Sequence, residues 1–166
     1  FWFGAGSVLA RHLEPDEWRA LPGMSCFALA ASRLGWALES TICLGLHAAP
    51  LTRLRPHLAP GMRLIVTLRD GAAVDDLGAY LVQEGFGDSV LHVMEALAGP
   101  REHVTTHRAA AVTGPFDHPV CVAVEVQGAG RVMPKASGLA DDWFEHDGQI
   151  TNCLLYTSDA ADEAKW

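Results

Sequence analysis

Apolar positions along this chain switch between short continuous runs and helical spacing, and that switching predicts its elements. Residues 41–46, 63–68, 89–95 and 120–126 are compact apolar runs bounded by Gly, Pro or polar residues, the last rich in Val, as buried strands are. Residues 73–84 instead space Val74, Leu77, Leu81 and Val82 at helical intervals, which predicts a helix with those four on one face and Gly85 as its C-cap. Upstream, the pattern predicts a helix over 4–13 closed by Glu14-Pro15-Asp16 and a strand over 18–21. A helix over 25–34 follows, then a short one over 51–58 that begins after Pro50 and ends near Pro60-Gly61. Residues 104–112 read both ways: Thr105 and Thr106 favour strand, whereas Ala109, Ala110 and Ala111 favour helix. Strand and helix alternate, which argues for an α/β sheet, and residues 127–138 form a Gly/Pro/Ala connector.

The most informative turn lies between the predicted strand at 18–21 and the helix after it. Pro22-Gly23 bends the chain and Ser25 stands at the N-cap, with Gly35 closing the helix. Free N–H groups at such a helix start can hold a polar small molecule, and an α/β sheet commonly binds its ligand at a strand-to-helix turn. On residue type alone, Ser25 reads better as a plain cap.

Composition narrows the class. At 166 residues, 49% hydrophobic and 19% charged, the chain can bury one ordinary core. Its net charge of −8 argues against nonspecific nucleic-acid binding and against an anionic membrane surface. No apolar run is long enough to span a bilayer. Cys26, Cys43, Cys121 and Cys153 are scattered without a Cys-x-x-Cys pair, which points away from a disulfide framework and toward a reducing cytoplasm. Both ends look wrong for a natural protein. The chain opens inside a motif at Phe1-Trp2-Phe3-Gly4, and residues 153–163 resemble the translation of a transposase library adapter, so 153–166 are set apart as an artefact.

Other constellations are weaker. His103 and His107 have metal-ligand spacing on a helix but share only a face on a strand, and no third ligand lies nearby; no metal is expected. Asp75-Asp76 and Asp141-Asp142 read as solvated faces. Ser25 lacks a Gly-x-Ser-x-Gly elbow and a His/Asp partner, and Gly4-Ala5-Gly6-Ser7 lacks the Lys of a P-loop.

The order of the pieces adds a resemblance. Phe-x-Phe-Gly before a helix, then strand-Pro-Gly-x-Ser-helix-Leu-Gly-Trp, resembles the S-adenosylmethionine-dependent tetrapyrrole (corrin/porphyrin) methyltransferases. Residues 26–36, 54–61, 95–102 and 144–151 are similar, in order, to blocks of the decarboxylating precorrin-6Y C5,15-methyltransferase family of cobalamin biosynthesis. That resemblance implies a two-lobed α/β fold with the methyl donor in the cleft between lobes. Residues 1–36 would end the first, donor-binding lobe and 37–133 would form the second. Residues 134–152 would link to a further methyltransferase domain. It also implies S-adenosylmethionine as donor, held by Trp2, Gly23, Ser25, Cys26, Leu68, Ala96 and Leu97. The substrate would be a precorrin methylated at C5, with His47 and Arg101 on the substrate side. Arg53, Arg55, His57, His103, His107 and Arg108 are further candidates for its carboxylates. After His47 the family usually has Gly-Arg; here Ala48-Ala49 stand instead. A homodimer fits the same resemblance. Diphthamide- or ribosomal-RNA-type methyltransferases of this fold, and a dimerisation unit without turnover, are the alternatives. An activated sulfonium methyl and an enamine-like ring carbon need positioning and desolvation more than acid–base help, in keeping with the absence of an evident catalytic dyad.

Overall fold

The computed structural model describes residues 5–135 and Trp143. Trp2, Gly4, Asp141-Asp142, the 144–151 block and the tail from Cys153 lie outside the described residues.

Two short helices come first, α1 (Ala5–Ala10) and α2 (Cys26–Leu34). A five-stranded sheet follows, built from β1 (Ile42–Gly45), β2 (Arg63–Thr67), β3 (Val90–Glu95), β4 (His103–Arg108) and β5 (Val120–Glu125), with α3 (Ala72–Gln83) between β2 and β3. The spatial order is β1-β2-β5-β3-β4; β1 and β2 run parallel, and the other neighbours are antiparallel. β5, last in sequence, is inserted at the centre, which is why its run is so uniformly apolar: both of its faces are covered.

Strand alternation sorts the core into two layers. Leu64, Val66, Leu91, Val93, Val122 and Val124 pack on one face with Val74, Leu77 and Leu81 of α3. Ile65, Met94, Cys121 and Ala123 face the other way and meet Phe27, Ala30 and Ala31 of α2, together with Trp36. An α/β sheet was the expectation, and it stands; its cover on both faces is seen only in the structure.

The local differences have physical causes. Residues 18–21 form no strand: among the described residues no neighbouring strand is available, Pro22 offers no N–H, and Trp18 and Leu21 are exposed. Val82 is half exposed, because the buried stripe of α3 is Ala73, Val74, Leu77, Gly78 and Leu81. The predicted helix at 51–58 is a 3-10 helix, Leu51–His57, with Pro56 inside it and three-residue closures such as Arg53 N–H to the Pro50 carbonyl (3.2 Å). The ambiguous segment divides: β4 takes 103–108 and a 3-10 turn takes Ala109–Ala111.

Candidate functional site

At one end of the sheet the C-terminal ends of β1, β2 and β3 meet the start of β5, and the N-terminus of α2 crosses above them. Register aligns Thr67 with Cys121 and Cys121 with Met94, so one row across three strands points its side chains toward α2. This row floors a cleft of about 760 Å³. Ser25, Cys26, Phe27 and Leu29 form its roof, with Met24 just before them. Leu97 closes one side, and His47, Leu68, Arg69 and His118 line the rim. A smaller hollow of about 250 Å³ adjoins it, sharing His47, Leu68 and Arg69 and walled by Ala48, Ala49 and Asp76.

The roof is fixed by the capping geometry that the sequence suggested. Ser25 is extended (ψ 152°), and its Oγ accepts a hydrogen bond from Ala28 N–H at 3.1 Å. Gly35 takes φ 67° at the far end, and its N–H donates to the Ala31 carbonyl. Around the cleft the thiols remain protonated at neutral pH. Burial pushes the Cys121 thiol up to about 12 and raises that of Cys26 above its ordinary value. Neither is set up as a nucleophile. The orphan on the floor is the Thr67 hydroxyl, buried with no hydrogen-bond partner among the described residues.

Leu97 reaches the cleft from a tight turn. Ala96 (φ 46°) and Ala98 (φ 61°) both adopt the left-handed conformation, which is costly for residues bearing a Cβ. Bonds on both sides hold the turn: Ala96 N–H to the Pro119 carbonyl (2.8 Å), Gly99 N–H to the Ala96 carbonyl (2.9 Å), and Ala98 N–H to Glu102 Oε2 (2.6 Å). Glu102 also receives a two-pronged pair from Arg33 of α2, with Nε at 2.6 Å and Nη2 at 2.9 Å. That fork ties the roof helix to the turn beside it. Arg33, then the Ala98 N–H, holds the Glu102 carboxyl down at about 2. A carboxylate depressed in the folded state favours folding fully above its ordinary range and loses that contribution as pH falls toward the folded value. The stability difference between the wild type and Glu102→Gln should therefore shrink as pH is lowered from about 5 toward about 2. Denaturant midpoints along that series measure it; a constant gap contradicts the assignment.

The expected site residues are distributed unevenly. Ser25, Cys26, Leu68, Leu97 and His47 all line the cleft. Ala96 lies at its edge, buried, with its N–H engaged by Pro119. Gly23 precedes the roof in open space, where an added Cβ meets nothing within 4 Å. Arg101 lies outside the cleft, 3.6 Å from Asp117, and Trp2 lies outside the described residues. None of the further basic candidates lines the cleft. Arg55 pairs with Glu84 (2.8 Å), Arg108 with Asp88 (3.2 Å), and His103 with Glu95 (3.1 Å). His103 and His107 sit on β4 with their residues on one face, and among the described residues no group of three or more His, Cys, Asp or Glu is arranged for a metal. Sequence reasoning passed over Thr67, Met94, Cys121, Arg69 and His118. The floor row exists only once β5 inserts between β2 and β3, and nothing local marks that pairing.

No family model matches the chain. Among curated proteins it is 49% identical over 155 residues to a precorrin-6Y C(5,15)-methyltransferase [decarboxylating] from Sinorhizobium sp, covering 91% of this chain and 37% of that protein. It is 36% identical over 154 residues to the protein of the same name from Mycobacterium tuberculosis, covering 89% of this chain and 37% of that protein. The chain thus spans little more than a third of the length of these relatives. Among solved structures, a cobalamin-biosynthetic cobalt precorrin-4 methyltransferase aligns with TM-score 0.58 at 15% identity, over 74% of this chain and 58% of that one. A uroporphyrin-III C-methyltransferase from Thermus thermophilus, complexed with S-adenosylhomocysteine, aligns with TM-score 0.53 at 19% identity, over 73% and 58%. At such identities the likeness establishes the fold, which is that of the tetrapyrrole methylases.

Proposed function

From its homology with precorrin-6Y C(5,15)-methyltransferases over 91% of its residues, we propose that the chain builds part of the donor and substrate site of a cobalamin-pathway enzyme. That enzyme transfers a methyl group from S-adenosylmethionine to C5 of a precorrin. Residues 1–36 close the first lobe in this reading and 37–133 form the second, so the cleft under α2 lies at their seam. The observation that carries it is the orphaned Thr67 hydroxyl on an otherwise apolar floor.

The residues present fit such a donor. About 760 Å³ falls in the range of small-molecule sites. The bound donor supplies an electrophilic sulfonium methyl group. The chain's own part is to hold, orient and dry the reacting centres. Thr67 Oγ1 can donate to or accept from a polar atom of the ligand and so end its isolation. Phe27, Leu29, Met94, Val120 and the protonated thiols of Cys26 and Cys121 exclude water without adding charge. His47, Arg69 and His118 gather polar groups at the rim, where a substrate bearing carboxylates would approach. Arg69, paired with Asp70 at 2.7 Å, lines the smaller hollow together with Ala48 and Ala49, and so brings a cation where those alanines supply none. A net charge of −8 and relatives that act on corrin precursors weigh against the RNA and diphthamide alternatives.

Calorimetric titration of the full-length protein with S-adenosylhomocysteine should show saturable one-to-one binding. Thr67→Val keeps the shape and removes the hydroxyl, so it should weaken that binding by about 3- to 10-fold, the size of one neutral hydrogen bond. Stability should stay level or rise, since a buried unpaired hydroxyl is removed. Absence of saturable binding in the wild type sinks the proposal.

A further inference from the structure

Glu95 ends β3 and is among the few charged side chains buried in the described part of the molecule. The donor cleft does not use it: Glu95 does not line that cleft, and its carboxylate points into the protein's own backbone. Oε1 accepts Asp117 N–H at 2.5 Å, and Oε2 lies 3.1 Å from Nδ1 of His103, directly across on β4. One residue further on, Ala96 N–H donates to the Pro119 carbonyl at 2.8 Å, and Glu95 pairs with Val120 in the β3–β5 register. Apart from the His103 pair, these contacts all grip residues 117–120, the stretch that brings His118, Pro119 and Val120 into the cleft wall.

We propose that Glu95 is a positioning residue: its carboxylate, oriented by His103, clamps the 117–120 segment at the place that puts His118 on the rim and Val120 on the floor. The inference rests on the donor-cleft reading above, and it adds a residue outside the cleft on which the cleft's shape depends. The logic is that of any burial of a carboxylate. A group so costly to desolvate is held by charge-assisted bonds to both of its oxygens, and those bonds in turn fix whatever donates them. Here one donor is a backbone N–H in an irregular loop that has no ladder of its own to define it.

The test compares Glu95→Gln with Glu95→Leu in the full-length protein. Glutamine keeps an acceptor for Asp117 N–H at nearly the same place; leucine keeps only the volume. Two readouts are taken, hydrogen exchange of the Asp117 amide and affinity for S-adenosylhomocysteine, and circular dichroism confirms folding. For Glu95→Leu the expected result is loss of Asp117 amide protection by tenfold or more and donor-product affinity weakened about tenfold. Glu95→Gln should restore both to within about threefold of wild type. Should Glu95→Leu fail to fold, Glu95→Asp, whose shorter arm cannot reach Asp117 in the same geometry, is measured against Glu95→Gln with the same expectation. Affinity that is unchanged while the Asp117 amide is deprotected overturns the positioning role and leaves Glu95 a packing element. An unaltered Asp117 amide overturns the clamp itself. The exchange readout needs no ligand, so failure of the wild type to bind S-adenosylhomocysteine counts against the donor-site reading and is told apart from failure of the clamp.

Discussion

Gly71→Ala should destabilise the protein by about 3 kcal/mol or more, the upper end of what overpacking a rigid site costs. Gly71 is buried just before α3, with ordinary right-handed backbone angles (φ −65°, ψ −33°), so its conformation does not demand glycine; the space around it does. A Cβ there would lie 2.7 Å from the carbonyl carbon of Phe116 and closer still to its oxygen. Backbone meets Cβ, and no side-chain rotation relieves it. Moving Phe116 disturbs its edge contact with His107 (centroids 5.6 Å apart), and moving Gly71 disturbs Asp70, whose Oδ1 caps α3 through Ala73 N–H at 3.0 Å. Phe116 also immediately precedes the 117–120 segment, so the same substitution should weaken S-adenosylhomocysteine binding. Gly23→Ala, whose new methyl meets nothing within 4 Å, is the control and should leave the stability read from urea denaturation within about 0.5 kcal/mol of wild type. Equal midpoints for the two variants would falsify the packing argument.

The contrast between those glycines shows how far the sequence could be read. Gly23 is conspicuous in the chain because it follows Pro22 and precedes an N-cap, yet nothing in the described structure crowds it. Gly71 is inconspicuous, because the atom that forbids a side chain there belongs to a residue 45 positions away. Local signals were strong: the Ser25 cap, Gly35, the Val74, Leu77 and Leu81 positions of the α3 stripe and four of the strands follow from period and capping alone. The failures were non-local. The 18–21 run has strand-like composition but no neighbour to pair with among the described residues, while β4 is less apolar yet forms because β3 lies beside it. The site divides along the same line. Ser25, Cys26, Leu68 and Leu97 were reached through a resemblance of blocks in order. Thr67, Cys121 and Met94 came together only through the insertion of β5 into the sheet. Charge misled most: Arg55, Arg101, His103 and Arg108, all candidates for carboxylate binding, each pair with a nearby acid, while no local signal marks Arg69 and His118 at the rim, and Arg69 is itself paired with Asp70 at 2.7 Å.

Phe86→Ala should cost about 3–5 kcal/mol, the range for removing a fully buried aromatic ring. Phe86 has no exposed surface and belongs to the larger core layer with Leu81, Leu91 and Val126. Its position also joins three pieces of chain. Its N–H donates to the Leu81 carbonyl at 2.7 Å as α3 ends, and its own carbonyl accepts Ser89 N–H at 3.0 Å as β3 approaches. The connector after β5 then runs directly over the ring: a Cβ on Gly130 would fall 2.8 Å from Phe86 Cδ2, and one on Gly128 2.7 Å from Phe86 Cα. Gly130 thus fits against both the Phe86 ring and the Glu84 carbonyl, Gly128 against the backbone of residues 85–86, and their close approach lets Ser89 Oγ donate to the Gln127 carbonyl (3.1 Å) while accepting Gln127 N–H (3.0 Å). With the ring gone, glycines cannot fill the space, so the cavity persists and its cost is not relieved by collapse. Phe86→Leu refills part of that volume and should recover more than half of the loss, while Gly130→Ala in the wild-type background should destabilise by overpacking against the Glu84 carbonyl and the same ring. Urea denaturation of the three variants measures all of this. A Phe86→Ala cost below about 1.5 kcal/mol would mean that the ring does not anchor the connector, since even an ordinary core truncation exceeds that value.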